Sequence, residues 1–557
     1  MTDYSSPSQN CDIVMKGGVA SGTVYPLAIC ELATTYHFRN VGGTSAGAIA
    51  AAATAAAQCG RRSDPTGSAF RRLERLPAEL GETPSAGGPP RLFSLFQPQD
   101  RTARAFAPVR ALLEHPDDKL TAYLLAVSTT FWASTVLGAL PGLAILVAGL
   151  WTLLGDVGAL PTVLSAAAAV AGLAVAAIGA GAAATWGWWR TLQDDLPANF
   201  YGFCNGFGGP KPDGPGQLTQ WLSDLLDALA GKSDDKPLLF KDLWGEGCAT
   251  DPEVNLRMVT TNLTLGRPHV LPFDEPPAEP RFFFKPREFG ELFPQNVVRH
   301  MVDCARGEDS GDDFEDVCPL PSAGELPVIV ATRLSLSFPL LLSAVPLYLR
   351  RPSTSAGGAE GYAPCWFSDG GICSNFPVHF FDSPLPRWPT FAINLRPLPK
   401  GHALPAEPCD DTWMAAREGD HRDELAEQWF TYWHRSSAGV LQSFLGALLE
   451  TMQNWRDSAQ LAVPGYRDRV VHIGLRPHEG GLNLAMSPEL IGRLGERGRC
   501  AGARIKECFA RTDGGDDYWD THRWTRFRAS AAGIEELLAR VHKGYVDEPE
   551  GGAPLLT

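Results

Sequence analysis

Residues 43–47 of this chain read Gly-Thr-Ser-Ala-Gly, the pattern G-x-S-x-G. A short apolar strand is predicted before them, near residues 38–41, and an alanine-rich helix after them, at about residues 46–58. This strand-to-helix turn is too sharp for side chains at the two glycine positions, and it holds the hydroxyl of Ser45 exposed at the start of the helix. Ser45 is therefore a candidate nucleophile. The pentapeptide alone fits a glycine-flanked turn before a packed helix equally well.

A second glycine-rich stretch lies one strand and one helix upstream. Residues 16–22 read Lys-Gly-Gly-Val-Ala-Ser-Gly and follow a short apolar strand at residues 13–15. Backbone with few side chains between a strand and a helix leaves amide groups free to face an anion. Beside a nucleophile, such a loop would hold the oxyanion of a tetrahedral acyl intermediate. The alternative is a phosphate cradle for a nucleotide, which is disfavoured because the stretch satisfies neither G-x-G-x-x-G nor G-x-x-x-x-G-K-[ST].

A nucleophilic serine needs a base, and Asp369 is the candidate for this role. It stands in Trp-Phe-Ser-Asp-Gly-Gly at residues 366–371, where a predicted strand ends in a carboxylate on a glycine turn. Desolvation by the aromatic neighbours would raise the affinity of this carboxylate for the serine proton. By itself, an Asp-Gly-Gly sequence is more often an ordinary turn. His379 and His472 lie near predicted strands, where a lone histidine is more often a structural residue.

Together and in this order, the glycine loop, the G-x-S-x-G serine and the distant Asp-Gly-Gly resemble the patatin-like phospholipase family. The resemblance implies a Ser-Asp dyad of Ser45 and Asp369, oxyanion-hole amides from the glycine loop, and glycines that shape the turns. These residues are Gly17, Gly18 and Val19 in the oxyanion loop, Gly43 and Gly47 in the nucleophile elbow, and Gly370 and Gly371 after the base. The resemblance covers roughly residues 11–58 and 256–395, and more faintly the C-terminal third.

Two positions of the oxyanion loop depart from the family's usual G-G-G-x-[KR]-G. Val19 stands at the third glycine position, and Ser21 stands where a basic residue is common. Elsewhere, residues 331–339 look like the family's apolar segment ahead of the aspartate strand. The departures support an alternative function, a membrane-anchored interaction or effector protein with a weak or silent hydrolase site.

Two long stretches carry no charged residue, namely residues 120–154 and residues 157–189. Each exceeds the roughly 20 apolar residues that cross a bilayer as a helix. Lys119 precedes the pair and Arg190 follows it, so the positive-inside tendency places both ends on the cytoplasmic side. The predicted structure is a transmembrane helical hairpin that leaves the cytoplasm and returns. The alternative is a buried helical pair in a large globular core, because alanine and glycine dominate the second stretch and lower its hydrophobicity.

The composition indicates a folded chain, and any attachment to a membrane would be through its hydrophobic segments. Of the 557 residues, 44% are hydrophobic and 20% charged, and the formal net charge is −15. This negative charge argues against electrostatic binding of nucleic acid or of an anionic membrane over a broad surface. The 12 cysteines show no zinc-ligand spacing and favour a reducing compartment. The first ten residues lack the features of a secretory signal, so we expect the N-terminus to stay in the cytoplasm.

We therefore expect an α/β fold, a mostly parallel sheet flanked by helices, with the transmembrane hairpin and an irregular cap inserted. The expected function is hydrolysis of lipid acyl esters at a membrane, of phospholipase A or lysophospholipase type, through an acyl-enzyme on Ser45 and without a metal or other cofactor. The expected partner is a lipid or membrane substrate. The segments are the first part of the catalytic domain at 9–60, an irregular insertion at 61–118, the hairpin at 119–190, a cap or linker at 191–250, the remainder of the catalytic domain at 251–400, a helical insertion at 401–465 and a C-terminal part at 466–557.

Overall fold

The computed structural model describes most of the chain, including both candidate catalytic residues and the hairpin helices. The described residues are 2–18, 20–83, 88–114, 119–155, 159–208, 217–232, 235–247, 250–273, 281–308, 316–351, 361–398, 407–414, 465–476, 479–481, 483–510 and 518–546. Val19 lies outside the described residues, and so does most of the helical insertion expected at 401–465.

Strands and helices run through the whole described chain. The strands are β1 (Gln9–Met15), β2 (Tyr36–Gly43), β3 (Gly202–Cys204), β4 (Asn255–Asn262), β5 (Arg267–Leu271), β6 (Phe283–Phe284), β7 (Cys318–Pro319), β8 (Leu340–Leu342), β9 (Val345–Arg351), β10 (Gly361–Asp369), β11 (Thr390–Pro397), β12 (Thr412–Met414) and β13 (Val470–Leu475). The α-helices are α1 (Tyr25–Ala33), α2 (Ala46–Ser63), α3 (Ser68–Gly81), α4 (Arg91–Ser94), α5 (Ala103–Glu114), α6 (Lys119–Thr130), α7 (Trp132–Leu154), α8 (Ala159–Ala198), α9 (Leu218–Leu229), α10 (Phe240–Trp244), α11 (Pro286–Leu292), α12 (Gln295–Glu308), α13 (Val328–Leu336), α14 (Pro488–Phe509) and α15 (Tyr518–Val546). Short 3-10 helices lie at Ala20–Val24, Gly370–Ile372, Val378–Phe381, Pro408–Asp411 and Arg467–Arg469.

A large mixed sheet forms the centre of the fold. Its order is β12-β13-β11-β1-β2-β4-β10-β9-β6-β7, with β5 paired to β4, and β3 and β8 form a separate small sheet. The pairs that run from β13 through β11, β1 and β2 to β4 are parallel. The pairs on either side of this block, and the pair of β4 with β5, are antiparallel. The prediction of a mostly parallel sheet is therefore wrong, although the α/β architecture with flanking helices is present.

Short connections explain two of the antiparallel pairs, β4 with β5 and β9 with β10. Parallel neighbours need a crossover of about a dozen residues or more, whereas only residues 263–266 separate β4 from β5. Side-chain periodicity is the same in both kinds of strand, so the sequence pattern does not reveal strand direction. The aspartate strand β10 enters the sheet antiparallel to β4, and its last residue, Asp369, lies opposite Thr260.

The strands that lead into the glycine loop and the nucleophile turn are neighbours at the centre of the sheet. β1 and β2 pair in parallel, with Met15 opposite Gly43. Since parallel strands end at the same edge of a sheet, the loop after Met15 and the turn after Gly43 lie side by side. Ile13 and Val14, which point to opposite faces, are both fully buried, so both faces of the sheet are covered here.

The two uncharged stretches form helices, but the first stretch is divided. α6 ends at Thr130, Phe131 leaves helical geometry with φ −109° and ψ 41°, and α7 begins at Trp132. α7 and α8 approach each other closely along small residues, because a Cβ on Gly142 would lie 2.0 Å from the amide nitrogen of Ala176. Such close backbone contact is typical of paired membrane helices.

The outer surfaces of α7 and α8 are apolar and exposed. Helical residues 132–154 and 162–198 are long and apolar enough to cross a membrane, and only 11% and 22% of their most apolar parts are buried. Trp151 and Leu154 are 80% and 89% exposed. These exposures do not fit the alternative of a buried helical pair in a globular core. The hairpin is therefore a candidate membrane-spanning pair.

Cys409 and Cys500 form a disulfide, with their Cα atoms 5.2 Å apart. The bond joins the 3-10 helix Pro408–Asp411 to α14. It differs from the expectation of a reducing compartment. Since the two residues are 91 positions apart and connectivity is not encoded in cysteine spacing, the sequence pattern did not indicate this pair.

Candidate active site

Ser45 occupies the turn between β2 and α2. Its φ of 57° and ψ of −127° place a non-glycine residue in the positive-φ region, a strained geometry that recurs at functional turns. Only glycine fits at the two flanking positions, 43 and 47, because a Cβ there would clash with the neighbouring backbone. A Cβ on Gly43 would lie 2.2 Å from the carbonyl oxygen of Gly47, and a Cβ on Gly47 would lie 2.2 Å from that of Met15. The turn therefore has the sharp geometry of a nucleophile elbow.

Ser45 is buried, which differs from the prediction of an exposed hydroxyl, and only 3% of the residue is accessible. The glycine loop covers one side, since a Cβ on Gly17 would lie 3.2 Å from the Cβ of Ser45. The end of α13 covers another side, where the Ser45 amide donates a hydrogen bond to Ser335 Oγ at 3.3 Å. An ester must therefore reach the hydroxyl through a cavity or a local opening.

Asp369 ends β10 and caps the short 3-10 helix that follows. Its Oδ1 accepts a hydrogen bond from the Gly371 amide at 2.7 Å, and its own amide donates to the Ser337 carbonyl at 2.9 Å. Gly370 packs against the neighbouring strand, where a Cβ would lie 2.1 Å from the carbonyl oxygen of Val259. These contacts fix the position of the carboxylate at the end of the strand.

The structure brings the side chains of Ser45 and Asp369 together. Burial raises the pKa of Asp369 to about 6, and hydrogen bonding by the Ser45 hydroxyl and the Gly371 amide limits the rise. Asp369 Oδ2 is buried and has no well-aligned hydrogen bond within the described part of the chain. The Ser45 side chain is therefore close enough to affect the carboxylate, although no hydrogen bond of ordinary geometry joins the two side chains.

The segment at residues 331–339 contacts both members of this pair. Ser335, near the end of α13, accepts the hydrogen bond from the Ser45 amide, and the Ser337 carbonyl accepts the one from the Asp369 amide. In the sequence this segment is recognisable only as a resemblance to the family, and its contacts with Ser45 and Asp369 were not predicted. The available signal was a pair of serines, two positions apart, within an otherwise apolar run.

A buried arginine supports the same segment. Arg333, on α13, is 1% exposed and donates to Ser337 Oγ at 2.5 Å and to the carbonyl oxygens of Asn205 and Ser343 at 3.2 and 2.9 Å. Burial lowers the pKa of Arg333 to about 10, so the guanidinium stays charged at neutral pH. It thereby joins the turn that contacts Asp369, the candidate base, to the residues that follow β3 and β8.

The glycine loop is fixed at both ends. The Gly17 amide donates to the Asn375 carbonyl at 2.9 Å, and the Ala20 amide donates to the Gly481 carbonyl at 3.0 Å. Among the residues that the structure describes, none accepts a hydrogen bond from the Gly18 amide. Gly18 therefore lies between two fixed points and keeps its donor available.

The two histidines have structural surroundings. His472 lies in β13, with its Nδ1 3.1 Å from the side-chain nitrogen of Asn394 and its ring stacked on Trp413. Burial lowers the pKa of His472 to about 3, so the ring is neutral. His379 lies in a 3-10 helix, with its ring against Phe380. The carboxylate of Asp369, rather than an imidazole, is the basic group that the structure brings to Ser45.

An apolar cavity of about 80 Å³ borders the turn at Ser45. Its lining includes Ala46, which follows Ser45, and Gly22, at the end of the glycine loop. The rest of the wall is mainly apolar and includes Ile29, Ile49, Ala50, Leu76, Phe96 and Leu225. A pocket with this lining suits a hydrocarbon chain.

Within the described ranges, one group of side chains has the chemistry of a metal site. His300, Cys304 and Glu325 have donor atoms within 4.8 Å of one another, and the group shares no residue with the Ser45 site. The Glu325 carboxylate pairs with Lys241 at 2.5 Å, and His300 Nε2 lies 2.9 Å from the Glu325 carbonyl oxygen. These contacts account for the arrangement without an ion.

Known proteins share these features of sequence. Residues 13–136 match the sequence model of the patatin-like phospholipase family, a span that includes the glycine loop and Ser45 and ends before Asp369. The RpoH suppressor of Rhizobium meliloti (strain 1021) is 37% identical over 587 aligned residues, which cover 95% of this chain and 86% of that protein. The chain belongs to the patatin-like phospholipase family. Patatin-like phospholipases are in general lipid acyl hydrolases.

A comparison with solved structures gives a weaker likeness. The crystal structure of VipD from Legionella pneumophila matches this chain with 14% sequence identity and a TM-score of 0.29. The match covers 89% of this chain and 66% of that one. The family assignment therefore depends on the sequence matches.

Proposed function

We propose that this patatin-like protein is a serine acyl-ester hydrolase that acts on lipids at a membrane. The observation that carries the proposal is the Ser45 hydroxyl beside the buried Asp369 carboxylate. A carboxylate with a pKa of about 6 is ionised at neutral pH and is a stronger base than an ordinary aspartate. It can therefore accept the serine proton without a histidine between the two groups.

In the first half-reaction, Asp369 takes the hydroxyl proton as Ser45 Oγ bonds to the ester carbonyl carbon, and the carbonyl oxygen becomes an oxyanion. Collapse of this intermediate breaks the ester C–O bond, and Asp369 gives the proton to the leaving alcohol. Water then attacks the acyl-enzyme while Asp369 takes its proton, and that proton returns to Ser45 Oγ as the fatty acid leaves. These steps use only this chain's residues and water.

We assign the oxyanion hole to backbone amides of Gly17, Gly18 and Val19. The Gly18 amide is the best supported, because no described residue accepts its hydrogen bond. The Gly17 amide donates to Asn375 and would have to leave that acceptor to take part. The departures at Val19 and Ser21 do not remove donors, since every residue except proline keeps its N–H. The N-terminus of α2 adds a favourable partial positive charge.

The proposed substrate is an ester-linked acyl chain of a phospholipid or lysophospholipid. The family and the apolar cavity beside the nucleophile turn both support it. Each methylene that enters such a cavity contributes about 0.8 kcal/mol of binding free energy.

The proposed location is a membrane, with the catalytic domain on the cytoplasmic side as the flanking charges favour, although the Cys409–Cys500 disulfide is more typical of an oxidising compartment. Support comes from the long, apolar and exposed helices α7 and α8, which would be costly to leave in water. Lys119 and Arg190 flank the pair, and their positive charges favour the cytoplasmic side. Both ends of the hairpin return to the catalytic domain, so Ser45 would work close to the lipid surface.

Release of fatty acid tests the proposal. Purified protein is given diacyl phospholipid vesicles and lysophospholipid micelles, and free fatty acid is measured by mass spectrometry. The wild type and a control, Ser6→Ala at an exposed serine, should release fatty acid, whereas Ser45→Ala should lose at least about 100-fold in rate. Equal rates in wild type and Ser45→Ala would overturn the assignment.

The competing function is a membrane-anchored interaction or effector protein with a silent site. The engaged Gly17 amide and the departures at Val19 and Ser21 favour it. Folded wild-type protein that releases no fatty acid from any of these lipids would support this second function.

A further inference from the structure

Two loops from opposite ends of the sequence meet beside the nucleophile. The Ala20 amide, in the glycine loop, donates to the Gly481 carbonyl at 3.0 Å. Gly480 packs on the adjacent residue of the glycine loop, since a Cβ there would lie 2.9 Å from the Cβ of Ser21. The φ of +115° at Gly480 is also one that other residues rarely adopt. The loop at residues 479–481 therefore rests directly on the oxyanion loop.

A buried ion pair fixes this C-terminal loop. Glu479 is 5% exposed, and its two carboxylate oxygens accept hydrogen bonds from Nη1 and Nη2 of Arg497 at 2.5 and 2.9 Å. The Arg476 amide also donates to Glu479, at 3.0 Å. Burial by itself would raise the pKa of Glu479, but the hydrogen bonds from Arg497 and the Arg476 amide lower it. The carboxylate therefore stays ionised and holds its partner in a bidentate geometry.

Arg497 stands on a helix that contacts the other end of the glycine loop. It lies in α14, is fully buried and donates to the Gly474 carbonyl at 3.0 Å. The next residue, Gly498, touches the 3-10 helix that follows the loop, because a Cβ there would lie 1.8 Å from the carbonyl oxygen of Val24. The oxyanion loop, its 3-10 helix, α14 and the loop at 479–481 therefore form a closed ring of contacts.

We propose that Glu479, held by Arg497, is a positioning residue for the oxyanion loop. The inference rests on the proposed hydrolase function. The Ala20–Gly481 hydrogen bond is one of the two points that fix the loop on either side of Gly18. Donors held in place before the reaction stabilise an oxyanion without reorganising, and a displacement of about 1 Å costs about 100-fold in rate. The ion pair acts through this hydrogen bond and touches no reacting atom.

The variant Gly480→Ala tests the contact directly. Its Cβ would push on Ser21, so kcat for a soluble p-nitrophenyl ester should fall about tenfold or more, with KM changed by less than about threefold. The control is Gly266→Ala in the β4–β5 turn, which also replaces a positive-φ glycine but meets no atom within 4 Å, and it should keep wild-type kcat. The double variant Gly480→Ala with Ser21→Gly removes the clashing Cβ of Ser21 and should recover the part of the loss that the clash causes, while the backbone strain at residue 480 remains.

A second variant, Glu479→Gln, removes the charge without adding volume, and its kcat should also fall about tenfold. Rates are expressed per serine titrated to completion with a fluorophosphonate, so that loss of folded protein does not lower them. Wild-type kcat in both Gly480→Ala and Glu479→Gln would overturn the positioning role and leave the hydrolase proposal intact. A wild type that neither reacts with the probe nor hydrolyses the ester would overturn the hydrolase proposal and this inference together.

Discussion

The amide of Ser45 donates a hydrogen bond to Ser335 Oγ at 3.3 Å, so the end of α13 holds the strained turn between β2 and α2. Both residues are buried, and the bond joins positions 290 apart in the sequence. The turn is therefore a tertiary feature, stabilised by a segment that also binds the backbone of Asp369, the candidate base.

Ser335→Ala is expected to lower the free energy of unfolding by about 1–3 kcal/mol, because the buried Ser45 amide loses its acceptor. The rate of ester hydrolysis should fall as well, since the turn is less firmly held. Urea denaturation and ester turnover measure the two effects, with Ser6→Ala as the exposed control. Unchanged stability in Ser335→Ala would show that the hydrogen bond does not hold the turn.

Asp369→Asn is expected to abolish hydrolysis and yet to stabilise the protein at pH 7. The pKa of Asp369 in the fold, about 6, lies above its ordinary value of 3.8, so the folded state binds this proton more tightly than the unfolded state does. Stability from this group is therefore greatest below pH about 4 and falls as the pH rises toward 6. The difference between the two pKa values corresponds to a free energy of unfolding that is about 3 kcal/mol lower at pH 7 than below pH 4.

Asparagine carries no charge, so the variant should lack this part of the pH dependence. Thermal denaturation between pH 4 and pH 8 measures it, and the wild type and variant curves should converge toward pH 4. A variant that is less stable than the wild type at pH 7 would contradict the burial of an ionised carboxylate at this position.

Ala50→Phe is expected to shorten the acyl chains that the enzyme accepts. Ala50 lines the apolar cavity and is half-buried, so a larger ring fills space that a chain would occupy. Long-chain esters should lose at least about tenfold in kcat/KM, while acetyl and butyryl esters change by less than about threefold. The control is Ala228→Phe, on the exposed side of the lining helix α9. An equal loss of kcat/KM for esters of all chain lengths would show that the cavity does not bind the acyl chain.

The sequence predicted the parts of the site that depend on local geometry. The elbow at Ser45 requires glycines within two residues on each side, and the position of Asp369 depends on a strand that ends in a glycine turn, so both leave a local pattern. The contacts of Ser335 with the elbow and of Gly481 with the glycine loop join residues far apart in sequence. No spacing or periodicity records such contacts, and for the same reason strand direction in the sheet was predicted wrongly.

Replacing residues 120–189 with a short Gly/Ser linker is expected to release the protein from membranes. The wild type should stay in the membrane pellet after a carbonate wash, because α7 and α8 expose apolar surface over most of their length. The same replacement at residues 531–545 of α15, which are also exposed, is the control and should leave the protein in the pellet. Wild-type protein that is soluble and monodisperse without detergent would contradict membrane insertion.

The most direct test of the central claim is covalent labelling of the wild type with a fluorophosphonate, followed by peptide mapping of the adduct. The probe reacts with an activated serine and does not require the natural lipid. One adduct on Ser45 is expected in the wild type and none in Ser45→Ala, and labelling should be slowed by at least about 100-fold in Asp369→Asn. An adduct on another serine, or equal labelling rates in wild type and Asp369→Asn, would contradict the Ser45–Asp369 dyad.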